Sequence, residues 1–445
     1  MTSADPQGLP HPLVVRTVPL AGLPTTGTVP GDPADPRTPS AADLLAFLPA
    51  DAPLVWVRRG DGLVAWGEAL RVEVSGPERF AQAEAAWRKV VAHALVRDEV
   101  GAPGTGPVAF GSFAFDDESA AGGVLVVPRV VVGRRHGRAW LTTISAAGDL
   151  STAPDPATLL RPADPPAGPG DVMQADGALT PAAWGEAVHE TVAAIRRGEV
   201  DKVVLARDVV ASAQHPVDVR WVAARLADRY AAAWTFAVDG LVGATPEMLV
   251  RSEKGLVTSR VLAGTVRRTG HDAADIARAG VLAQSSKDLE EHEYAVASVA
   301  AALEPFCSST NVPDAPFVLP LPNVLHLASD VTGVLRQPQP SSLALAAALH
   351  PSAAVCGTPT DAARAVLRAA EHMDRDRYAG PVGWLGADGD GEWGIALRSG
   401  RIDARDPRRV RLFAGCGVVA ASDPDDEVAE SEAKLEPMRW ALGVR

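Results

Sequence analysis

The chain has 445 residues, of which 47% are hydrophobic, and it carries a formal net charge of −13. This composition provides enough apolar side chains for a large core, whereas the acidic balance argues against a nucleic acid or an anionic membrane as a partner. Because an acidic protein must concentrate its positive groups locally to bind an anionic substrate, buried Lys and Arg residues are the first candidates for a site.

Signals for export, for membrane insertion and for disulfide bonding are lacking. The N-terminal region contains Asp5 and several prolines, where a signal peptide requires a basic start and an unbroken apolar run. No stretch approaches the ~20 apolar residues of a membrane span. The cysteines Cys307, Cys356 and Cys416 are odd in number and lack metal-ligand spacing, which favours reduced thiols. We therefore expect a soluble cytoplasmic protein.

The N-terminal half begins with residues 1–40, which are rich in Pro, Gly and Thr and predict a flexible segment. We expect residues 41–445 to form a single domain. Residues 151–177 are again rich in Pro, Ala and Asp, which predicts a linker or a surface crossing. Between these segments the patterns predict a helix over Pro77–Ala94 and strands over Pro53–Arg58, Gly62–Trp66, Val108–Phe115, Gly123–Val132 and Ala139–Ile144.

The second half opens with an amphipathic helix over Pro181–Arg197, followed by a strand rich in β-branched residues over Lys202–Arg207. A lysine that opens an apolar strand is ordinarily a solvated residue at the end of a sheet. The alternative is a lysine that a dry site keeps neutral, so that it can act as a base. This segment alone leaves both interpretations open.

A turn around Pro246 carries the second candidate. Pro246 fixes its own φ and biases Thr245 towards extended geometry, so Glu247 is predicted to enter a strand directly after the turn. Surface turns commonly carry a glutamate, and that is the alternative interpretation. Leu262–Arg267 follows as a turn of small residues, where backbone could approach a ligand.

Two acidic helices are predicted in the C-terminal half. The first begins near Ser285 and carries Glu291, and the second begins after Asp423, whose position before Pro424 is a strong helix start. On the second helix, one face combines Glu427, Glu430 and Lys434. Carboxylates from two helices suit Mg²⁺, although solvated helix faces have the same composition.

Other motifs are excluded. The run Asp388–Glu392 resembles a calcium loop but has Trp393 at the sixth position, where glycine is required. A hairpin between Pro381–Leu385 and Trp393–Arg398 explains it better. No phosphate-binding or dinucleotide glycine pattern is present, so no nucleotide cofactor is indicated.

Taken together and in order, nine segments resemble the chorismate-utilising enzymes, which include isochorismate, salicylate, anthranilate and aminodeoxychorismate synthases. Each segment alone is weak, but nine in the family's order are highly specific, and a fainter similarity lies at Phe110–Phe115. The nine segments are Lys202–Arg207, Gly243–Glu247, Leu262–Thr265, Glu291-His292, Val324–Leu327, His350–Gly357, Arg377–Trp384, Ala414–Gly417 and Ser422–Lys434.

The resemblance implies an α+β fold, an anthranilate synthase-like αββα sandwich of two stacked antiparallel sheets flanked by helices. The site would lie in the cleft between the sheets, with the catalytic motifs in residues 181–445. Family members that attack with ammonia have glutamine where this chain has Lys202, whereas members that attack with water have lysine. We therefore expect chorismate as substrate, isochorismate as product and no glutamine amidotransferase subunit.

The resemblance also implies roles for individual residues. Lys202 would deprotonate the water that attacks C2 of chorismate, and Glu247 would protonate the hydroxyl that leaves C4. A neutral acid is needed at the start, so we expect the pKa of Glu247 to be raised. Mg²⁺ would be held by Glu291 and Glu430, with Glu427 acting through water.

The remaining implied residues contact the substrate. Tyr378 and Arg398, with the backbone amides around Gly415 and Gly417, would hold the pyruvyl carboxylate. Near them, the site would be completed by Gly264, Thr265, His326 and Lys434.

Position 354 separates products within the family, because lyase members have threonine where this chain has Ala354. One alternative is salicylate synthase, in which pyruvate elimination follows the first step. A non-catalytic chorismate-binding relative is the other, and the presence of Lys202, Glu247 and the two metal carboxylates argues against it.

Overall fold

The computed structural model of the protein describes residues 12–21, 23, 40–147 and 156–444. Within the segment that we predicted to be flexible, Leu13–Leu20 forms a strand, β1, which alternates buried and exposed side chains. For these residues the prediction of flexibility is wrong. Most other positions of residues 1–40 lie outside the described residues.

The N-terminal half contains mostly strands. The predicted strand over Gly123–Val132 is two strands, because Pro128 interrupts it. The predicted linker or surface crossing over residues 151–177 contains, where the chain is described, a short helix and a mostly exposed edge strand. The segment is therefore not an unstructured linker, but it does lie at the surface. In order, the elements after β1 are α1 (Ala41–Leu45), β2 (Leu54–Arg58), β3 (Asp61–Trp66), β4 (Leu70–Val74), α2 (Arg79–His93), β5 (Leu95–Asp98), β6 (Val108–Phe113), β7 (Gly123–Val127), β8 (Val130–Arg135), β9 (Arg138–Ala146), α3 (Pro156–Leu159) and β10 (Val172–Asp176).

The C-terminal half alternates helices with longer strands. The elements are α4 (Pro181–Arg196), β11 (Lys202–Ala213), α5 (Val219–Arg229), β12 (Trp234–Val238), β13 (Leu241–Thr245), β14 (Met248–Glu253), β15 (Leu256–Arg267), α6 (Asp272–Leu282), α7 (Ser286–Leu303), β16 (Cys307–Asn311), β17 (Phe317–Pro320), β18 (Val324–Leu335), α8 (Ser342–Leu349), β19 (Gly357–Thr358), α9 (Thr360–Ala370), β20 (Pro381–Gly386), β21 (Gly391–Ile395), β22 (Ser399–Ile402), β23 (Arg409–Val418) and α10 (Pro424–Leu442).

The strands form two sheets within the described part of the chain. The larger has 13 strands in the order β10-β11-β23-β22-β13-β12-β2-β3-β8-β9-β1-β5, with β19 beside β11. The smaller has 10 strands in the order β16-β18-β15-β14-β21-β20-β6-β7-β4, with β17 beside β18. Pairing is antiparallel except between β1 and β5. The predicted hairpin of β20 and β21 is confirmed.

Helices cover the outer faces of both sheets. Helices α4, α5 and α10 pack on the larger sheet, and α2, α7 and α8 pack on the smaller one. Between the sheets, buried aromatic side chains from both meet, among them Trp56, Phe110, Phe236 and Trp384. This arrangement confirms the αββα sandwich. No helix in the described ranges is long and apolar enough to cross a membrane.

The chain crosses from one sheet to the other at short links. β13 of the larger sheet ends at Thr245 and β14 of the smaller sheet begins at Met248, so only Pro246 and Glu247 join them. A second link joins β21 of the smaller sheet to β22 of the larger one, and Arg398 lies on it. Both links therefore carry a residue that we predicted in the site.

Candidate active site

A cavity of about 660 Å³ lies where the two sheets and helices α7 and α10 meet. The larger sheet contributes β11 and β23 to its wall, and the smaller sheet contributes β15 and β18. Eleven of the residues that we predicted in the site line this cavity: Glu247, Gly264, Thr265, Glu291, His326, Ala354, Tyr378, Arg398, Gly415, Gly417 and Lys434.

Lys202 lies outside the lining of this cavity, next to Glu291, and is fully buried, with 0% of its surface exposed. Its interpretation as a solvated lysine is therefore wrong. The ammonium group lies 3.3 Å from Oε1 of Glu291 and donates to the Glu291 carbonyl oxygen at 3.4 Å. Gly417 makes this approach possible, because a Cβ there would lie 2.0 Å from Glu291 Oε1 and 3.3 Å from Lys202 Cε. A larger residue at position 417 would collide with the pair.

Glu247 is buried with 4% exposure, so it is not a surface turn residue. Burial raises its pKa to about 8, although a backbone hydrogen bond from Leu262 and the positive charge of Lys202 act in the opposite direction. The raised pKa that we predicted is confirmed in direction. At pH 7 this carboxyl group is mostly protonated and can donate a proton.

His326 bridges two other predicted site residues. Its Nδ1 lies 3.0 Å from Thr265 Oγ1, and its Nε2 lies 3.0 Å from a terminal nitrogen of Arg398. Burial, together with the charges of Arg398 and Lys434, holds the pKa of His326 well below its usual value. The ring is therefore neutral, and because Arg398 can only donate, Nε2 accepts and Nδ1 carries the hydrogen.

Arg398 has a φ of 49°, in the left-handed region that non-glycine residues seldom occupy. Its side chain is buried, and no acidic side chain in the described ranges lies within ion-pair distance of it. Its guanidinium donates to His326 with one terminal nitrogen. An unpaired, buried guanidinium suits a carboxylate ligand.

Tyr378 lies on the floor of the cavity, stacked on Phe413 with the ring centroids 5.0 Å apart. Burial raises the pKa of its hydroxyl to about 12, so the hydroxyl remains a donor at neutral pH. The backbone of Gly415 lies close to this hydroxyl, since a Cβ at position 415 would lie 3.2 Å from the hydroxyl oxygen. The backbone of β23 and this hydroxyl can therefore reach the same ligand.

Gly264 confirms the close approach of backbone that we predicted. Its φ is 80°, and a Cβ would lie 2.9 Å from Cβ of Asp288 in the first turn of α7. A side chain at this position would force α7 away from β15. His292 of α7 also contacts β15, because its Nδ1 lies 3.3 Å from the Ala263 carbonyl oxygen.

The acidic face of α10 is partly buried. The Glu430 carboxylate pairs with Lys434 at 2.5 Å, and Lys434 also donates to the Gly415 carbonyl oxygen at 2.8 Å. Burial alone would lower the pKa of Lys434, but the Glu430 carboxylate raises it. Lys434 is therefore a fixed positive charge at this end of the cavity.

Glu427 and Glu430 form a group of candidate metal ligands with Cys416, and their ligand atoms all lie within 4.8 Å of one another. Two carboxylates at this separation fit a divalent cation. Within the described chain, Glu291 does not join this group at that distance, because its carboxylate pairs with Lys202. Here the structure differs from the predicted set of Glu291, Glu427 and Glu430.

Sequence reasoning missed an ion pair that supports the cavity wall. Arg375 is buried against Glu371 and donates to the carbonyl oxygens of Val355 at 2.8 Å and Val204 at 2.6 Å. Glu371 accepts a hydrogen bond from the backbone N–H of Ala206 at 2.8 Å. The pair therefore joins β11 to the segment that carries Ala354. No spacing in the sequence connects these positions.

Residues 53–443 match the profile of the family described as "Chorismate binding enzyme". Isochorismate synthase DhbC of Bacillus subtilis is 39% identical over 275 residues, covering 59% of this chain and 68% of that protein. The "Salicylate biosynthesis isochorismate synthase" of Pseudomonas aeruginosa is 35% identical over 422 residues. This match covers 88% of this chain and 85% of that protein.

Among solved structures, the putative 2,3-dihydroxybenzoate-specific isochorismate synthase DhbC of Bacillus anthracis superposes with a TM-score of 0.75 at 31% identity. The match covers 91% of this chain and all of that one. The sandwich fold agrees with these similarities over most of the chain. The protein belongs to the family of chorismate binding enzymes.

Proposed function

We propose that the protein converts chorismate to isochorismate by adding water at C2 with loss of the hydroxyl at C4. The proposal rests on Glu247, a buried and largely protonated glutamic acid that lines the cavity, and on the fully buried Lys202, whose ammonium group contacts Glu291 of the same lining. Relatives named isochorismate synthases support the same reaction.

Glu247 is the general acid in this proposal. An acid that must protonate a departing hydroxyl has to be neutral in the enzyme–substrate complex. Burial keeps the Glu247 carboxyl group protonated near pH 7. Its place on the two-residue link between β13 and β14 holds it firmly, because the strands on both sides are paired.

Lys202 is the base that activates water. A neutral amine is required for this, so the ammonium group that pairs with Glu291 must release a proton before Lys202 can accept one from water. Members of the family that use ammonia need no such base, which is why lysine at this position supports water as the nucleophile.

Three groups suit the two carboxylates of chorismate. The guanidinium of Arg398 and the hydroxyl of Tyr378 can donate to the pyruvyl carboxylate, together with backbone amides of β23. Lys434 adds a fixed positive charge beside Gly415. Since none of these groups can act as a base at neutral pH, their part is to bind and orient the substrate.

We also propose that the site holds Mg²⁺. Glu427 and Glu430 would be its principal protein ligands, and Glu291 would join them if its carboxylate turned from Lys202. When bound, the cation would neutralise and orient the ring carboxylate of the substrate.

Incubation of the purified protein with chorismate and Mg²⁺, with chromatographic separation of the products, tests the proposal. We expect isochorismate with little pyruvate. Equal amounts of salicylate and pyruvate would replace the proposal with salicylate synthesis. Binding of chorismate without any product would indicate a non-catalytic relative.

A further inference from the structure

A buried ion pair reaches the wall of the catalytic cavity. Arg375 and Glu371 are each 4% exposed, and Arg375 belongs to the cavity lining. The contact is bidentate, because Nε of the arginine donates to Oε2 of Glu371 at 2.8 Å and Nη2 donates to Oε1. Removing two charges from water is costly, yet neither residue has a part in the proposed proton transfers. The place of the pair beside the site therefore indicates another role.

The guanidinium of Arg375 is occupied by the protein itself. Two further hydrogen bonds run to backbone carbonyl oxygens, from Nη1 to Val355 at 2.8 Å and from Nη2 to Val204 at 2.6 Å. The carbon atom at the centre of the fork also lies 4.2 Å from the ring centroid of Phe115. With four of the five N–H groups of arginine engaged in this way, the fork holds the cavity wall rather than a ligand.

The two carbonyl oxygens belong to segments that meet near the proposed base. Val204 lies two residues after Lys202 on β11, and Val355 directly follows Ala354. The backbone N–H of Val204 donates to the Cys356 carbonyl oxygen at 2.8 Å, and beyond this bond the guanidinium joins the two segments. The fork therefore sets the distance between the strand of the base and the position that we expect to govern the product.

The same pair contacts two more residues of the cavity wall. Glu371 accepts from the backbone N–H of Ala206 at 2.8 Å, and the carbonyl oxygen of Arg375 accepts from the backbone N–H of Tyr378 at 3.0 Å. Ala206 and Tyr378 line the catalytic cavity, as do the two valines. One ion pair thus joins four residues of the lining that come from separate parts of the chain.

We propose that Arg375 is a positioning residue for the reaction, which holds the strand of Lys202 against the segment of Ala354. This inference rests on the proposed function, because it concerns the residues that activate water and separate the products. Since Arg375 and Glu371 together carry no net charge, the pair adds little to the attraction of the substrate carboxylates. Its loss should slow the chemical step more than it weakens binding, because a displacement of about 1 Å can cost roughly a hundredfold in rate.

A neutral replacement of the pair, Arg375→Met combined with Glu371→Gln, tests the proposal. It leaves no buried charge unpaired, and glutamine keeps an acceptor for the Ala206 N–H. Single-turnover kinetics, with enzyme in excess over chorismate and with Mg²⁺ present, measure the plateau rate and the apparent affinity separately. We expect a plateau rate at least tenfold below that of wild type and an apparent affinity within a few-fold of wild type.

A role in stability alone would give a different result. Unfolded protein lowers the concentration of competent enzyme, which changes the apparent affinity but not the plateau rate. The matched control is the buried pair of Arg134 and Asp43, which lie 3.0 Å apart with both side chains 9% exposed and which are outside the cavity lining. Arg134→Met combined with Asp43→Asn should keep the plateau rate of wild type.

A wild-type plateau rate in the variant of Arg375 and Glu371, or a change confined to its apparent affinity, would overturn the proposal. Should that variant fail to fold, Arg375→Lys decides, because lysine keeps a positive charge beside Glu371 but lacks the fork that reaches both carbonyl oxygens. A wild-type plateau rate in Arg375→Lys would likewise overturn it. Failure of the proposed function has a separate sign, since the wild-type protein would then form no isochorismate and both proposals would fall.

Discussion

Lys202 and Glu291 form an ion pair at 3.3 Å that joins β11 to α7 across the edge of the cavity. The two residues were assigned separate parts from the sequence, one as base and the other as metal ligand. Their contact means that the proposed base and the proposed metal site would share one carboxylate. A substitution of either residue is therefore expected to affect both proposed functions, so that binding and turnover have to be measured separately.

Lys202→Gln should abolish water addition. Glutamine preserves most of the side-chain volume but cannot accept the proton of water, and loss of a general base commonly costs about a thousandfold in rate. Chorismate binding, measured by calorimetry, should remain within a few-fold of wild type. Lys89→Gln on α2 is the control, since that lysine is exposed. Near-normal isochorismate formation by Lys202→Gln would refute the assignment.

Activity should fall as the pH rises through the pKa of Glu247, about 8, because the carboxyl group must be protonated to act as an acid. The same raised pKa makes the folded protein bind one more proton than the unfolded chain between about pH 4.5 and 8. The stabilisation is thus complete below pH 4.5 and is lost by about pH 8.

Glu247→Gln tests both consequences. The variant should be inactive, yet its unfolding free energy should decline less than that of wild type between pH 5 and 8. Urea titrations at several pH values measure this difference. An identical pH dependence of stability in the two proteins would mean that Glu247 does not titrate in this range.

Removal of divalent cations with EDTA should abolish turnover, and added Mg²⁺ should restore it. Glu430→Ala should weaken Mg²⁺ binding at least tenfold in calorimetry, because Glu430 belongs to the pair of close carboxylates. Glu291→Ala should also prevent rescue at ordinary Mg²⁺ concentrations. Full activity of the metal-stripped protein would contradict the metal proposal.

Ala354→Thr should increase the fraction of pyruvate among the products. Ala354 lines the cavity, and threonine would add volume and a hydroxyl that help to hold the compact pose needed for elimination. An activation free energy of elimination that is higher by about 3 kcal/mol in the wild type is enough to slow that step about a hundredfold. A product ratio that does not change would show that position 354 has no part in the choice.

Gly417→Ala should reduce turnover at least tenfold, because its Cβ would lie 2.0 Å from Glu291 Oε1 and displace the Lys202–Glu291 pair. Gly280→Ala in helix α6 is the matched control. A Cβ there meets nothing within 4 Å, so alanine should stabilise the helix by up to about 1 kcal/mol and leave activity intact. Equal activity of the two variants would disprove the steric argument.

The sequence predicted elements well wherever the pattern was local. The strand from Lys202 and the helix that begins after Asp423 both follow from patterning and capping. Strand β10 was missed because it is an edge strand whose side chains are mostly exposed. Its structure comes from hydrogen bonds to β11, which no property of its own sequence reveals.

The site could be predicted only through the resemblance. From composition and spacing, Lys202 and Glu247 were equally consistent with solvated positions, because burial depends on strands far away in the sequence. The buried pair of Arg375 and Glu371 was missed for the same reason, since its partners include Val204, 171 residues from Arg375. Contacts between residues so far apart produce no periodic pattern in the amino-acid sequence.

The two links between the sheets have a mechanical consequence. Glu247 lies on one link and Arg398 on the other, whereas Lys202 lies on β11, within the larger sheet. The distance between the proposed base and the proposed acid therefore depends on how the two sheets pack against each other. Side chains in the inter-sheet core, such as Phe236, should therefore affect the alignment of these two groups although they lie outside the cavity lining.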